Sequence, residues 1–386
     1  MNNFALRIIF LLLFGMNIHS PFAQEVLSPN AKVSLLTCEP GTQLYSLFGH
    51  SAIWVHDPDY QINEVFNYGT FDYNDPNFMV NFLKGKLIYW LAVDDGERFL
   101  YTYNYLKRGV RENVLELDFE QKITLYQSLV ENAKPENRSY PYDFYHDNCS
   151  TRIGELMENL FGPYEISLEE NKTFRDLLHE YLEGLDWTRF GMDLILGKGS
   201  DQLATSRQQM FLPDYLAENL LKATDQNGDQ FLKSTVTIIN HPWTENKSYW
   251  ITPILLFTFL LLVEIVILRY KSSSKWVRFY DKVWMILMSL ASLILLFMWF
   301  GTDHQSCSNN YNLLVFTPLI IVWLVAEWRK SKYLKWISLS VVLPFILLPF
   351  VKMGAQNIPS PVLLIALITL IKVMRTGGIK ELRKWV

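Results

Sequence analysis

From Trp250 onward the chain returns repeatedly to apolar stretches: Trp250 to Leu268, Val283 to Phe300, Leu313 to Ala326, Trp336 to Val351 and Pro361 to Val373. A membrane-crossing helix needs about 20 apolar residues, with a lower limit of about 17. The third and fifth stretches therefore reach across only if their flanking residues are counted. Basic residues follow or separate the stretches on one side: Arg269, Lys271, Lys275 and Arg278; Arg329, Lys330, Lys332 and Lys335; Arg375, Lys380, Arg383 and Lys384. The loop after the second stretch has no Lys or Arg, and that after the fourth has only Lys352. Basic loops stay on the cytoplasmic side. The expectation is an all-α membrane domain over 249–386, of about five transmembrane helices, with its C-terminus in the cytoplasm.

The composition before residue 249 is mixed and globular. Residues 1–23 carry Arg7, an apolar run from Ile8 to Phe14 and a small residue, Ala23, which is the pattern of a cleaved secretory signal. Residues 24–248 are accordingly expected as an exported globular domain. The formal net charge of −4 and the lack of a basic stripe in this half argue against nucleic acid as a partner. With 3 cysteines, Cys38, Cys149 and Cys307, the chain has too few for a disulfide framework or a zinc ligand set. No metal or cofactor site is expected, since phosphate loops, zincin helices and Gly-x-Ser-x-Gly elbows are all absent.

The stretch that carries chemistry is Asp147-Asn148-Cys149-Ser150-Thr151-Arg152. Apolar residues at 153, 156, 157, 160 and 161 follow with a helical period. Asp147 and Asn148 are good N-cap residues, so Cys149 is expected in the first turn, where a thiol loses its proton more readily. The base expected for it is His50, on the strand-like run Ala52-Ile53-Trp54-Val55. If that strand pairs with Ile62 to Gly69 about the turn Asp57-Pro58-Asp59, the residue opposite His50 is Asn67 or Tyr68, depending on register. Asn67 is the preferred third member, because its amide oxygen can accept from a ring N–H. The bland alternatives are a Cys38–Cys149 disulfide, which export permits, and a histidine merely satisfied in a sheet.

Elsewhere, Lys32 to Leu36 and residues 110–119 read as strands and Glu120 to Asn132 as a helix. Asn77 to Tyr105 is dense in aromatics; such density is usually core, but an exposed share would suit a membrane interface. The loop from Thr302 to Asn312 is more polar than a connection between membrane helices requires, and it could line a site shared with the globular half.

The order of histidine strand before cysteine helix resembles the circularly permuted NlpC/P60-like group, which includes lecithin:retinol acyltransferase-like enzymes. More specifically, a set of short motifs occurs in order: Pro40-Gly41, Phe48-Gly49-His50-Ser51-Ala52, Asn67-Tyr68-Gly69-x-Phe71-Asp72, Tyr142-Asp143-Phe144, Asp147 to Arg152 and Met210-Phe211-Leu212-Pro213-Asp214. Together these are similar to the Lnb family of bacterial lipoprotein N-acyltransferases, a resemblance that extends to Asp303-His304 and Asn310-x-Asn312. It implies an α+β, permuted NlpC/P60-like cysteine-enzyme domain in the periplasm, followed by the inner-membrane domain. It further implies transfer of a fatty acyl chain from a membrane phospholipid, through a Cys149 thioester, to the N-terminal amine of diacylated lipoproteins. Cys149, His50 and Asn67 would be catalytic, with Tyr68, Asn148, Asp147, Arg152, Asp303 and His304 in support. The competing readings are a membrane-anchored cysteine peptidase or amidase acting on peptidoglycan, and an idle sensor or scaffold.

Overall fold

The computed structural model describes residues 26–72, 74–162, 171–224, 230–241, 250–270, 274–352 and 356–376. The expected signal segment (1–23), Lys271 and the basic tail Lys380, Arg383 and Lys384 lie outside the described residues.

The N-terminal half is built on a seven-stranded antiparallel sheet of spatial order β6-β4-β3-β2-β1-β5-β7. Its strands are β1 (Lys32–Cys38), β2 (His50–Asp57), β3 (Ile62–Thr70), β4 (Ile88–Asp95), β5 (Val110–Val114), β6 (Ser139–Pro141) and β7 (Val236–Ile239). The expected strand over 110–119 ends early, because Asp118 caps a helix and turns the chain away from the sheet. Helices lie on both faces, and the central strands, buried along most of their length, send alternate side chains to one face and the other. On one side Leu35, Ile53, Val55 and Phe66 pack with Leu125 and Leu129 of α3 (Phe119–Asn132), Ile153 and Met157 of α4 (Cys149–Phe161), and Leu216 and Leu220 of α8 (Pro213–Lys222). On the other, Leu36, Ala52 and Val65 meet Phe99 and Tyr103 of α2 (Gly96–Tyr105). The remaining helices of this half are α1 (Phe78–Lys84), α5 (Phe174–Tyr181), α6 (Asp186–Ile195) and α7 (Ser206–Gln209).

The C-terminal half is helical: α9 (Pro253–Arg269), α10 (Lys275–Phe300), α11 (Leu319–Trp328), α12 (Leu334–Lys352) and α13 (Ser360–Thr376). Each apolar stretch of the sequence thus becomes a helix. Among the described residues α10 alone is long and apolar enough to cross a membrane as one helix. The third stretch is broken: residues 305–314 and α11 meet at a 47° bend, and Pro318 immediately precedes α11. Proline fixes its own φ and donates no N–H, so it starts a helix more readily than it continues one. Four charges hidden inside this half neutralise one another. Lys372 Nζ lies 2.8 Å from Glu264 and 2.9 Å from Asp281, and Arg375 bridges the same two carboxylates. Buried in apolar surroundings, such groups are tolerable only when paired.

The two halves are joined by the polar loop. Asn310 Nδ2 donates to the carbonyls of Leu194 and Ile195, and Asn312 Nδ2 to those of Asp193 and Leu194, so this loop satisfies carbonyls that α6 leaves open at its end. Gly197 N–H donates to Ser306 O at 2.9 Å, and a Cβ at Gly197 would collide with the Ser308 carbonyl. Beneath this joint Arg175, 1 % exposed, holds Asp193 at 2.7 Å, Asp201 at 2.9 Å and the Leu196 carbonyl at 3.2 Å. Arg175→Ala would leave Asp201 without its cation and Asp193 with only its contact to His179, at a cost of about 3–5 kcal/mol. The expected outcome is a lowered thermal transition of the detergent-solubilised protein and loss of protease resistance around 186–201; wild-type behaviour in both would show that the joint does not depend on this arginine.

Candidate active site

The site begins with a helix cap. Asn148, 3 % exposed, accepts from the N–H groups of Ser150 (2.8 Å) and Thr151 (3.0 Å) through Oδ1, and through Nδ2 donates to the carbonyls of Phe144 (2.8 Å) and Phe211 (2.9 Å). Thr151 Oγ1 accepts in return from Asn148 N–H, completing a capping box. Cys149 is thereby the first residue of α4, at the positive end of the helix dipole. Just before it, Asp143 and Asp147 exchange backbone hydrogen bonds that close the approaching turn. Arg152 clamps Asp147, with Nη2 2.7 Å from Oδ2, and lies 4.3 Å from the centre of the Tyr140 ring.

His50 opens β2, and its imidazole faces Cys149 closely enough for each group to shift the other's titration. Its Nε2 lies 2.6 Å from Asn67 Oδ1, while Asn67 Nδ2 donates to Asp94 Oδ2 at 3.2 Å. A carboxylate only accepts, so Asp94 fixes which end of the Asn67 amide faces the ring. The oxygen toward His50 then requires the proton on Nε2 and leaves the Nδ1 lone pair for the thiol. Asp94 was not singled out from the sequence, since one of two adjacent aspartates on a half-exposed strand carries no signal of its own.

The register differs from expectation in an instructive way. β2 and β3 pair from Ile53↔Phe66 to Asp57↔Ile62, a count that, continued, sets Gly69 across from His50 in place of Asn67 or Tyr68. Asn67 reaches the ring diagonally, from the same face two residues away. Phe66 and Tyr68 point into the core, and the Tyr68 hydroxyl accepts from Asn132 at 3.1 Å, so Tyr68 belongs to the packing and does not face His50. Gly69 has φ +87°, a conformation that a side chain disfavours. Cys149 Cβ, His50 Cε1 and the Tyr140 hydroxyl oxygen converge beside its α-carbon, 3.7, 3.9 and 3.9 Å from where a Cβ would stand. That hydroxyl is buried and has no hydrogen-bond partner among the described residues. Burial holds its pKa above the ordinary phenol range, so it stands there as a neutral donor.

Cys38, Cys149 and Cys307 are all free thiols, which removes the disulfide alternative. Their environments differ. Burial pushes Cys38 up to about 12, and Cys307 is likewise buried. Burial also opposes the Cys149 thiolate, but the His50 cation, its hydrogen bond, the Ser51 N–H and the Ser150 hydroxyl together bring that thiol below its usual range. For His50, desolvation works against the charged ring; the Cys149 thiolate and the Asn67 hydrogen bond outweigh it and raise the pKa. Of the supporting residues, Asp147, Asn148 and Arg152 are gathered at the start of α4. Asp303 and His304 are elsewhere, against the end of α1: Asp303 N–H donates to Lys84 O at 2.8 Å, and His304 Nε2 lies 2.9 Å from Phe82 O.

A capped cysteine beside a sheet histidine lies in a mixed α/β unit attached to an apolar helical region, the make-up of a membrane-linked protein. Family comparisons place it more narrowly. The Lnb N-terminal periplasmic domain matches residues 19–180, and the Lnb transmembrane domain matches residues 244–381. The chain belongs to the Lnb family and is a membrane protein with a periplasmic N-terminal part. No curated protein and no solved structure matches it.

The paired shifts have a direct consequence for reactivity. The two shifts run in opposite directions, the thiol down and the imidazole up, and both favour the thiolate–imidazolium form of the pair. Alkylation of Cys149 by iodoacetamide should therefore rise through a midpoint below that of an ordinary thiol, while Cys38 and Cys307 stay unreactive. In His50→Ala that midpoint should move upward. A wild-type profile with the midpoint of a free cysteine, unchanged by the substitution, would remove the ion pair.

Proposed function

We propose that the protein is a membrane-bound acyltransferase that moves a fatty acyl chain from a phospholipid to the N-terminal α-amino group of diacylated lipoproteins, by way of a thioester on Cys149. The observation that carries this reading is the pairing of Cys149 with His50, whose Nε2 is held 2.6 Å from Asn67 Oδ1, within a chain of the Lnb family. Residues 24–248 would form the periplasmic catalytic domain, with a permuted NlpC/P60-like fold, after removal of 1–23. Residues 249–386 would cross the bacterial inner membrane about five times and end in the cytoplasm, the third crossing being the bent segment.

In the first half-reaction the Cys149 thiolate, its proton on His50 Nδ1, attacks the ester carbonyl carbon beside Gly69. The negative charge moves to the carbonyl oxygen. Asn148 already takes the N–H groups of Ser150 and Thr151, so the donors proposed for that oxygen are the Cys149 N–H and the Tyr140 hydroxyl. Collapse breaks the bond to the glycerol oxygen, which leaves with the His50 proton as a lysolipid alcohol. In the second half-reaction the lipoprotein amine attacks the thioester carbonyl, His50 takes the amine proton, and the released sulfur recovers it as the amide forms. Asn67 holds the ring in its tautomer throughout, and Asp94 holds Asn67.

With purified protein, a labelled phospholipid and no acceptor, label should accumulate on Cys149 as a hydroxylamine-sensitive thioester. A diacylated lipopeptide with a free amine should discharge it into an amide, and N-acetylation of that lipopeptide should prevent this. Cys149→Ala should abolish labelling, and His50→Ala should slow it by about 100-fold to 10,000-fold. Cleavage of peptidoglycan peptides with no labelling from lipid would favour the peptidase reading instead.

A further inference from the structure

Helix α1 presents an apolar surface that no part of the described chain covers. Phe78 faces inward and stacks on Phe71 at 5.3 Å, whereas Met79, Val80 and Leu83 are 61 %, 49 % and 49 % exposed. These three positions share one side of a helix. Around them the surface is extended by Tyr45, whose ring meets Phe71 at 6.0 Å, with neighbouring Leu44, and by Ile88 beyond the helix end. Contiguous exposed apolar surface of this kind marks a contact with a partner or a membrane.

The position of α1 selects between them. Its last carbonyls accept from Asp303 N–H and His304 Nε2, residues that follow α10 by only a few positions after it ends at Phe300. A Cβ on Gly85 would stand 3.0 Å from the His304 nitrogen, so the helix end and this loop are in close contact. Since α10 is the helix able to cross a membrane unaided, α1 rides at the boundary where that crossing emerges. Trp299 and Phe300, stacked at 4.7 Å, occupy the same level, and aromatic side chains favour that depth. In the other direction the ring sequence Phe78, Phe71, Tyr89 and Tyr142 leads from α1 into the cluster against which Cys149 packs.

We infer that α1, with Leu44, Tyr45 and Ile88, is seated in the lipid surface of the membrane that its own chain crosses. The ring sequence from α1 then puts Cys149 a few aromatic side chains from that lipid surface. The inference rests on the proposed lipid donor for its purpose, although not for its geometry. Spin labels placed by Met79→Cys and Leu83→Cys in the full chain, on a Cys149→Ser background, would be measured in vesicles of phosphatidylethanolamine and phosphatidylglycerol. Both should collide preferentially with oxygen, which concentrates in lipid, over a water-soluble nickel chelate. Val130→Cys on α3, an exposed apolar position of the globular half, should show the reverse. Labels at 79 and 83 that behave like the one at 130 would overturn the inference. In the otherwise wild-type protein, Met79→Asp with Leu83→Asp should slow Cys149 acylation from vesicle phospholipid by roughly tenfold, given how interfacial binding scales with buried apolar area. Acylation by water-soluble p-nitrophenyl acetate should be unchanged, and an equal loss with both donors would count against the inference. Lipid-exposed labels in a protein whose Cys149 never accepts phospholipid acyl groups would sink the proposed function while leaving the lipid contact standing.

Discussion

The Asn148 side chain is the point on which the site's geometry turns. An amide oxygen can accept two hydrogen bonds and its nitrogen can donate two, and in this buried position all four are made. Two of them fix the first turn of α4; the other two fasten that turn to Phe144 before it and to Phe211, which is distant in sequence. Truncating an N-cap costs about 0.5–2 kcal/mol by itself, and here it would also strand two carbonyls. The larger consequence is positional. Cys149 meets His50 only because the helix start is held against the end of β2, where the Ser51 hydroxyl also lies 3.0 Å from that of Ser150.

From that anchor a short relay of forced choices reaches the reacting atoms. Asp94 can only accept, so Asn67 turns its nitrogen toward it; Asn67 then offers oxygen to His50, and the ring must keep its proton on Nε2. The nitrogen facing sulfur is left free to take a proton. Glycine at position 69 leaves Cys149, His50 and the Tyr140 hydroxyl with no side chain between them. Each group is held by another that has no alternative arrangement, so little reorganisation remains for the reaction to pay for.

Much of this was legible in the residues. A strong cap before a helical period located Cys149, and an apolar strand beginning at His50 located its partner, because local signals set both. Less legible was whatever depends on strands meeting. A count across the turn pointed to Asn67 or Tyr68 opposite His50, whereas the ladder, continued beyond Ile53↔Phe66, falls on Gly69, and Asn67 meets the ring from two residues away. Asp94 and Tyr140 reach the site from strands β4 and β6, at the far end of the sheet, and no short-range pattern marks them. Asp303 and His304 show the converse: a polar loop between apolar stretches reads as a possible site, but its polarity is spent on the ends of α1 and α6. Glu264, Asp281 and Lys372 look like scattered interruptions of apolar runs until α9, α10 and α13 bring them together.

A cysteine–histidine pair can hydrolyse or transfer, and the difference lies in what reaches the thioester first. On the proposed reading, holding the N-terminal half against the membrane helices through residues 303–312 would keep both a lipid donor and a lipid-anchored acceptor within reach of Cys149. The most direct test is mass spectrometry of a lipoprotein N-terminus from cells that lack every other source of N-acylation, with and without this protein. The account predicts an added acyl chain in amide linkage on the N-terminal cysteine, present with the wild-type chain and absent with Cys149→Ala. A diacylated N-terminus with a free amine in every case, despite normal amounts of the protein in the membrane, would contradict it.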